Sequence, residues 1–253
     1  MVNELRQSYP LNDLLQLSGL PRSTFYYYLK HLNTDKYECE KQEIQEIYNT
    51  NKGRYGYRRI TIAMHNKGYV INHKTVLKLM NTLGLKGKQR KNDKYHSYKG
   101  TVGKVADNLL KRDFYAEKPF KKITTDVTQF NVCEEKVYLS PVLDLFNNEV
   151  VSYSISTSPN LEQIREMLNG LFAKLPAEAT PIFHSDQGWQ YQHAEYQRLL
   201  AEHNIIQSMS RKGNCMDNGA MENFFGRLKV EMFYGEKFES VNAFIDELKK
   251  YIH

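Results

Sequence analysis

The run Lys121-Lys122-Ile123-Thr124-Thr125-Asp126-Val127-Thr128-Gln129-Phe130 places a carboxylate in the middle of a β-branched, strand-forming stretch. An acid inside a strand is costly to desolvate unless a cation stands nearby. A second stretch, Pro181-Ile182-Phe183-His184-Ser185-Asp186-Gln187-Gly188, is a short apolar strand ending in an aspartate and a glycine turn. A third, from Ser208 to Lys229, reads as a strand end, a polar loop and a helix. Asp217 is placed to cap that helix, and Met221, Phe224, Phe225, Leu228 and Met232 recur at helical spacing as one apolar face. At about 100° per residue, Glu222 and Lys229 lie together roughly a quarter turn off that face. Gly226, inside the same helix, costs about 1 kcal/mol relative to alanine, which close approach of a backbone or a ligand would explain. Taken alone, the segment also reads as a surface helix with an ordinary rim carboxylate. Joined to two strands that each carry an aspartate, it points to three carboxylates converging on metal.

Asp126 in Thr-Thr-Asp-Val-Thr, Asp186 in His-Ser-Asp-Gln-Gly and Glu222 in Asp-Asn-Gly-Ala-Met-Glu-Asn-Phe-Phe resemble the acidic triad of the integrase-core (DDE, retroviral-integrase-like) transposases. Within that superfamily the chain is most similar to the downstream-frame (OrfB-type) product of bacterial two-frame insertion sequences. The 35 residues between Asp186 and Glu222, and Lys229 seven positions beyond, match that group's pattern. The likeness spans roughly residues 10–253.

No apolar run approaches the 18 or so residues that a membrane span needs, and the start is no signal peptide. Three cysteines, far apart, indicate neither a disulfide framework nor a zinc knuckle. A reducing cytoplasm is expected, with no membrane partner. The net charge of +6 is uneven: residues 1–118 hold 22 Lys/Arg against 11 Asp/Glu, and residues 119–253 hold 13 against 18. A basic front and an acidic rear suit a DNA-gripping part joined to a metal-dependent part.

Residues 1–36 are expected to form a helix-turn-helix, with Leu14, Leu15 and Leu17 on one face, Gly19 at the turn and Ser23 capping the second helix. Residues 37–85 are expected to hold a second one. It comprises a helix over 38–50 with Ile44 and Ile47 inward, a helix opened by Tyr55-Gly56-Tyr57-Arg58-Arg59, a break at Gly68, and a helix from Asn72 to near Gly84. Tyr-Gly-Tyr-Arg-Arg resembles a recurrent opening in the same transposase group. Arg22 and Lys30 in the first module, and Arg58, Arg59, Lys74 and Lys78 in the second, are available to DNA; the bland alternative is solvated helix faces. Residues 86–118 read as a flexible basic linker, because 86–112 carry nine Lys/Arg against two acids without a repeating pattern.

Residues 119–253 are expected to be the catalytic domain: strands over 122–130, 136–145 and 149–156, a helix over 160–174, a strand over 180–185, a helix over 192–203, a strand over 204–210 and a helix over 217–233. Strands followed by alternating helices and strands give an α/β mixed sheet. The resemblance implies a ribonuclease-H-like catalytic domain preceded by all-α helix-turn-helix modules. Asn147-Asn148 marks a turn, which Asp144 would serve; His184 either tunes Asp186 or is structural. The final helix, 241–253, stops where relatives run on, so a truncated C-terminus is expected.

The resemblance further implies two Mg²⁺ ions, with Mn²⁺ able to substitute. Asp126 would bridge both ions, and Asp186 and Glu222 would each hold one. Lys229 would touch a DNA phosphate, or serve as an ordinary surface lysine; Arg211, Lys212, Asn214 and Asn218 would line the approach. The implied activity is cleavage and strand transfer at the terminal inverted repeats of an insertion sequence. Expected partners are double-stranded DNA (repeats and target), further copies of the chain, and an upstream-frame subunit, in a bacterial, nucleoid-associated setting. The rival is a DNA-binding regulator or inactive remnant that competes for the ends. A tyrosine recombinase fits less well, since no Arg and His-x-x-Arg set accompanies the tyrosines.

Overall fold

The computed structural model describes residues 2–31, 35–88, 105–211 and 214–253, in two compact units, Met1–Lys88 and Gln89–His253. The first is helical: α1 (Val2–Leu5), α2 (Leu11–Ser18), α3 (Arg22–His31), α4 (Glu38–Thr50), α5 (Tyr57–Asn66) and α6 (His73–Thr82). Gly19 closes α2 in the left-handed conformation at φ 65°, where a side chain would be strained. Two expectations fail here. Leu17 is exposed (86%) while Leu15 is buried, because residues two apart on a helix project about 200° from each other. Ser23 lies inside the first turn of α3 rather than at its cap. In α4–α6, Ile44, Ile47, Ile60, Met64, Val76, Leu79 and Met80 form one apolar core. Asn72 caps α6 by accepting from the Lys74 amide at 2.8 Å.

The second unit is built on a mixed sheet of β1 (Lys122–Thr125), β2 (Thr128–Val132), β3 (Glu135–Asp144), β4 (Val150–Ser156), β5 (Ile182–Ser185) and β6 (Ile206–Met209). Its helices are α7 (Leu161–Phe172), α8 (Ala194–Glu202), α9 (Gly219–Leu228) and α10 (Val241–Ile252). β1 and β2 lie along one flank of β3 in a single antiparallel register, Thr125 facing Val142 and Thr128 facing Leu139. The expected strand over 122–130 is therefore present with a break at Asp126. That register sets Asp126 opposite Pro141, which has no N–H to give to a ladder. β5 runs parallel to β1, and β6 parallel to β5.

Strand parity sorts two cores onto the two faces of the sheet. Ile123, Val142 and Phe183 join α7 and α8 side chains such as Met167, Leu171, Tyr196 and Leu200. Phe130, Val132, Leu139 and Leu143 join Met221, Phe225 and Leu228 of α9 and Phe244 and Leu248 of α10. The expected helix over 217–233 is divided into a 3₁₀ turn (Cys215–Asn218), α9 and a π-helical turn (Lys229–Phe233).

The stretch 86–118, expected as a linker, lies outside the described residues from 89 to 104. Residues 105–118 are not a free tether: Leu110 and Ala116 are buried against Leu145, and the Leu109 amide donates to Ser208 Oγ at 2.9 Å.

Candidate active site

β1 and β5 are paired at a constant offset, Lys122 with Ile182 through Thr124 with His184. The same offset carries Asp126 onto Asp186, each one residue past the C-terminal end of its strand. Neighbouring strands stand about 4.8 Å apart, so the two aspartates emerge side by side where open α/β sheets commonly bind ligands. Parity turns Asp126 toward the face that carries Phe130 and Val132, which is the α9 face.

Helix α9 is tied to the same spot. Thr124 Oγ1 donates to Asn218 Oδ1 at 2.8 Å, and Asn218 Nδ2 donates to the Thr125 carbonyl at 3.3 Å. These bonds fix the entry of α9 against the two residues preceding Asp126, and Glu222 lies in the first turn of that helix. Asp126 Oδ1 accepts from the Val127 amide at 2.7 Å, and Asp186 Oδ1 from the Gly188 amide at 2.8 Å. The second oxygen of each takes no hydrogen bond among the described residues.

The Asp126 carboxyl is pushed up to about 8, first by burial, then by the neighbouring Asp186 charge; the Val127 amide opposes this, Glu222 adds to it and Lys229 offsets part. Burial also raises Asp186, against the Gly188 amide. Lys229 is lowered by burial and pulled back by Asp126; its Nζ sits 5.6 Å from the Phe130 ring centre. Lys229 is thus a half-buried cation within electrostatic range of Asp126. Among the described residues no three His, Cys, Asp or Glu side chains are drawn together closely enough to enclose an ion. Glu222 acts on Asp126 at electrostatic range.

Asp217 is not the cap of α9. It is fully buried and accepts from Arg211, Arg112 and Asn108. Contact with Arg211, then with Arg112, holds its carboxyl far below the usual range despite burial. Asp144 serves the turn as expected, accepting from the Phe146 amide at 3.0 Å and also from the Phe120 amide at 2.8 Å. His184 is buried, bonded through Nδ1 to Ser208 Oγ at 2.9 Å, and lowered to about 4 by burial, which fits a structural role.

The residues expected to meet DNA fall into three groups. Lys30, Lys74 and Lys78 are exposed. Arg22 bonds Asn12 and lies over Tyr26, Arg58 over Tyr57 and Arg59 over Tyr55, so their guanidiniums are braced by aromatic rings. Arg211 is committed to Asp217, and Lys212 lies outside the described residues. Sequence reasoning missed Arg112, and it read Asn218 as part of the DNA approach. Their partners, about a hundred positions away, leave no local pattern.

The mixed sheet with helices on both faces and two aspartates at adjacent strand ends defines an α/β domain with a candidate acidic site. The integrase core domain family matches residues 116–215, a second integrase core domain family matches 222–253, and an HTH-like domain family matches 35–92. The putative transposase InsK for insertion sequence element IS150 of Escherichia coli (strain K12) is 53% identical over 253 residues, covering 100% of this chain and 89% of that protein. A transposase-like protein of Haemophilus influenzae is 56% identical over 72% of this chain and 84% of its own. Transposase InsF for insertion sequence IS3A of Escherichia coli (strain K12) is 36% identical over 76% of this chain and 67% of its own. An HTLV-2 integrase catalytic core domain in complex with magnesium aligns with 51% of this chain and 83% of its own at TM-score 0.39 and 21% identity, a likeness too loose to carry weight. The chain belongs to the integrase-core transposases of insertion sequences, with an HTH-like domain ahead of an integrase core domain.

Proposed function

We propose that this transposase cleaves DNA at insertion-sequence ends and joins the freed strand to a target, with Asp126, Asp186 and Glu222 as its metal-holding carboxylates. The observation that carries this reading is the shared offset of Asp126 and Asp186 on adjacent parallel strands. Their chemistry suits a hard cation: each aspartate keeps an oxygen without a hydrogen bond, and Asp126 is crowded enough to hold a proton near neutral pH unless positive charge replaces it. Bound magnesium, as two ions with manganese as a substitute, would neutralise charge on the attacking and leaving oxygens of a phosphodiester.

The chain's own residues do the positioning. Asn218 holds the Glu222 helix to β1, and Lys229 balances Asp126 in the absence of metal. Residues 1–36 and 37–85 serve as DNA-binding modules, where Arg22, Lys30, Arg58, Arg59, Lys74 and Lys78 contact phosphates. Residues 86–118 connect them to a catalytic domain over 119–253, where Arg211, Lys212 and Lys229 approach the DNA. Joining two ends requires more than one copy of the chain, and an upstream-frame subunit completes end recognition. No helix among the described residues is long and apolar enough to cross a membrane, and the site of action is the bacterial cytoplasm beside the nucleoid.

The test is strand cleavage of a supercoiled plasmid bearing the element ends, with Mg²⁺, for wild type and Asp126→Asn. Cleavage by wild type alone is expected. Equal cleavage by the variant, or none by either with DNA binding intact, overturns the reading.

A further inference from the structure

Asp113 N–H donates to the Leu110 carbonyl at 2.8 Å, closing a turn whose two central residues, Lys111 (φ 48°) and Arg112 (φ 66°), are both left-handed. That backbone suits glycine or asparagine and is disfavoured for long side chains. Strain of this kind persists where the surroundings enforce it, commonly at functional positions. Here it delivers Arg112 to Asp217, with Nε to Oδ1 at 2.8 Å and Nη2 to Asn214 Oδ1 at 2.9 Å. Asn108 steadies both partners, donating to Asp217 at 3.0 Å and accepting from the Lys111 amide at 2.8 Å. Arg211 reaches Asp217 from the other side through Nε at 2.8 Å, Nη2 at 2.9 Å and its backbone amide at 3.1 Å.

A single guanidinium would neutralise Asp217, and two leave a residual positive charge. The carboxylate is wholly buried, while the side chains of Arg112 and Arg211 remain 41% and 61% exposed. Nη1 of each makes no hydrogen bond among the described residues. Two guanidiniums, locked on one edge and open on the other, match the fork geometry that takes phosphate oxygens. The cluster also stands next to the chemistry, since Asp217 precedes Asn218, the residue bonded to Thr124 and Thr125.

We propose that Arg112 and Arg211, oriented by Asp217, grip a backbone phosphate of DNA beside the Glu222 helix. This deepens the proposed function and rests on its DNA ligand, though not on its cleavage chemistry.

The test is binding of an end-containing duplex by the full chain in EDTA, measured against salt for wild type and Arg112→Gln. The variant is expected to bind roughly five- to tenfold more weakly near 0.15 M salt, with the log–log salt slope shallower by about 0.9. An unchanged slope and affinity in a folded variant, or no duplex binding by wild type, overturns the clamp. Should Arg112→Gln melt below the assay temperature, arginine labelling of wild type by phenylglyoxal, read by mass spectrometry, decides. Protection of Arg112 and Arg211 by the duplex supports the clamp, and equal labelling with and without DNA overturns it. A chain that shows the slope change yet never cuts DNA keeps the clamp and loses only the proposed chemistry.

Discussion

The two units use buried polarity in opposite ways. Among the described residues of the helical unit, Thr61 alone is a buried polar side chain, whereas the sheet unit buries fifteen, including Thr124, Asp144, His184, Asp217 and Asn218. A helix satisfies its own backbone, so a hydrocarbon core suffices to hold α4, α5 and α6 together, and charge can stay on the surface. The sheet unit sets Asp126 and Asp186 side by side from two strands and ties a helix against them. Apolar packing is non-directional, and hydrogen bonds such as Thr124–Asn218 supply the missing direction. Buried polarity follows the demand for orientation.

The contrast can be tested by substitution. The largest effect is expected from Asp126→Asn, which should lower cleavage by on the order of 10³-fold or more while leaving duplex binding in EDTA intact. Binding lost together with cleavage would mean that the carboxylate also organises the DNA surface. Next is Ile60→Ala in the helical unit. Emptying a fully buried site should cost about 2–5 kcal/mol in denaturant titration and abolish duplex binding, with the sheet unit's own transition unmoved. Asp217→Ala should cost about 3 kcal/mol, the low end for a broken buried pair, because both arginines can turn to water. Since the Asp217 carboxyl is held low, its contribution is present above the ordinary carboxylate range and is lost as pH falls. The variant should lack that part of the acid sensitivity.

A smaller effect concerns Asp126 itself. Its carboxyl stands at about 8 against an ordinary 3.8, so between those values the unfolded chain releases a proton that the folded chain keeps. Metal-free protein should therefore lose Tm as pH rises from about 4 to about 8. Magnesium should restore it, and Asp126→Asn should abolish the loss. Smallest of all, Lys74→Gln or Lys78→Gln should change stability by less than about 0.5 kcal/mol, yet make the salt slope of DNA binding shallower by about 0.9 if the lysine meets a phosphate.

The same contrast explains what could be read before any coordinates. Helices α4 to α6 and the succession of strands and helices along the second unit follow from periodicity and turn residues, which are local. Asp126 and Asp186 stood out because a carboxylate in a β-branched run contradicts its surroundings. The Asp217 cluster could not be found that way, because its partners Asn108 and Arg112 lie over a hundred positions upstream and an Asp before a helix also suits a cap. Residues 105–118 looked like a tether by composition, and only long-range bonds to Ser208 and Asp217 reveal an anchored strap.

The equal offset between β1 and β5 also bears on which changes the gene can tolerate. Between Asp126 and Asp186 the chain passes through several surface connections, and residues gained or lost there need not disturb either carboxylate. One residue inserted within β1 or β5 would reverse which side of the sheet the downstream aspartate faces. Descent should therefore vary the loop lengths freely while admitting almost no insertion or deletion within those two short strands.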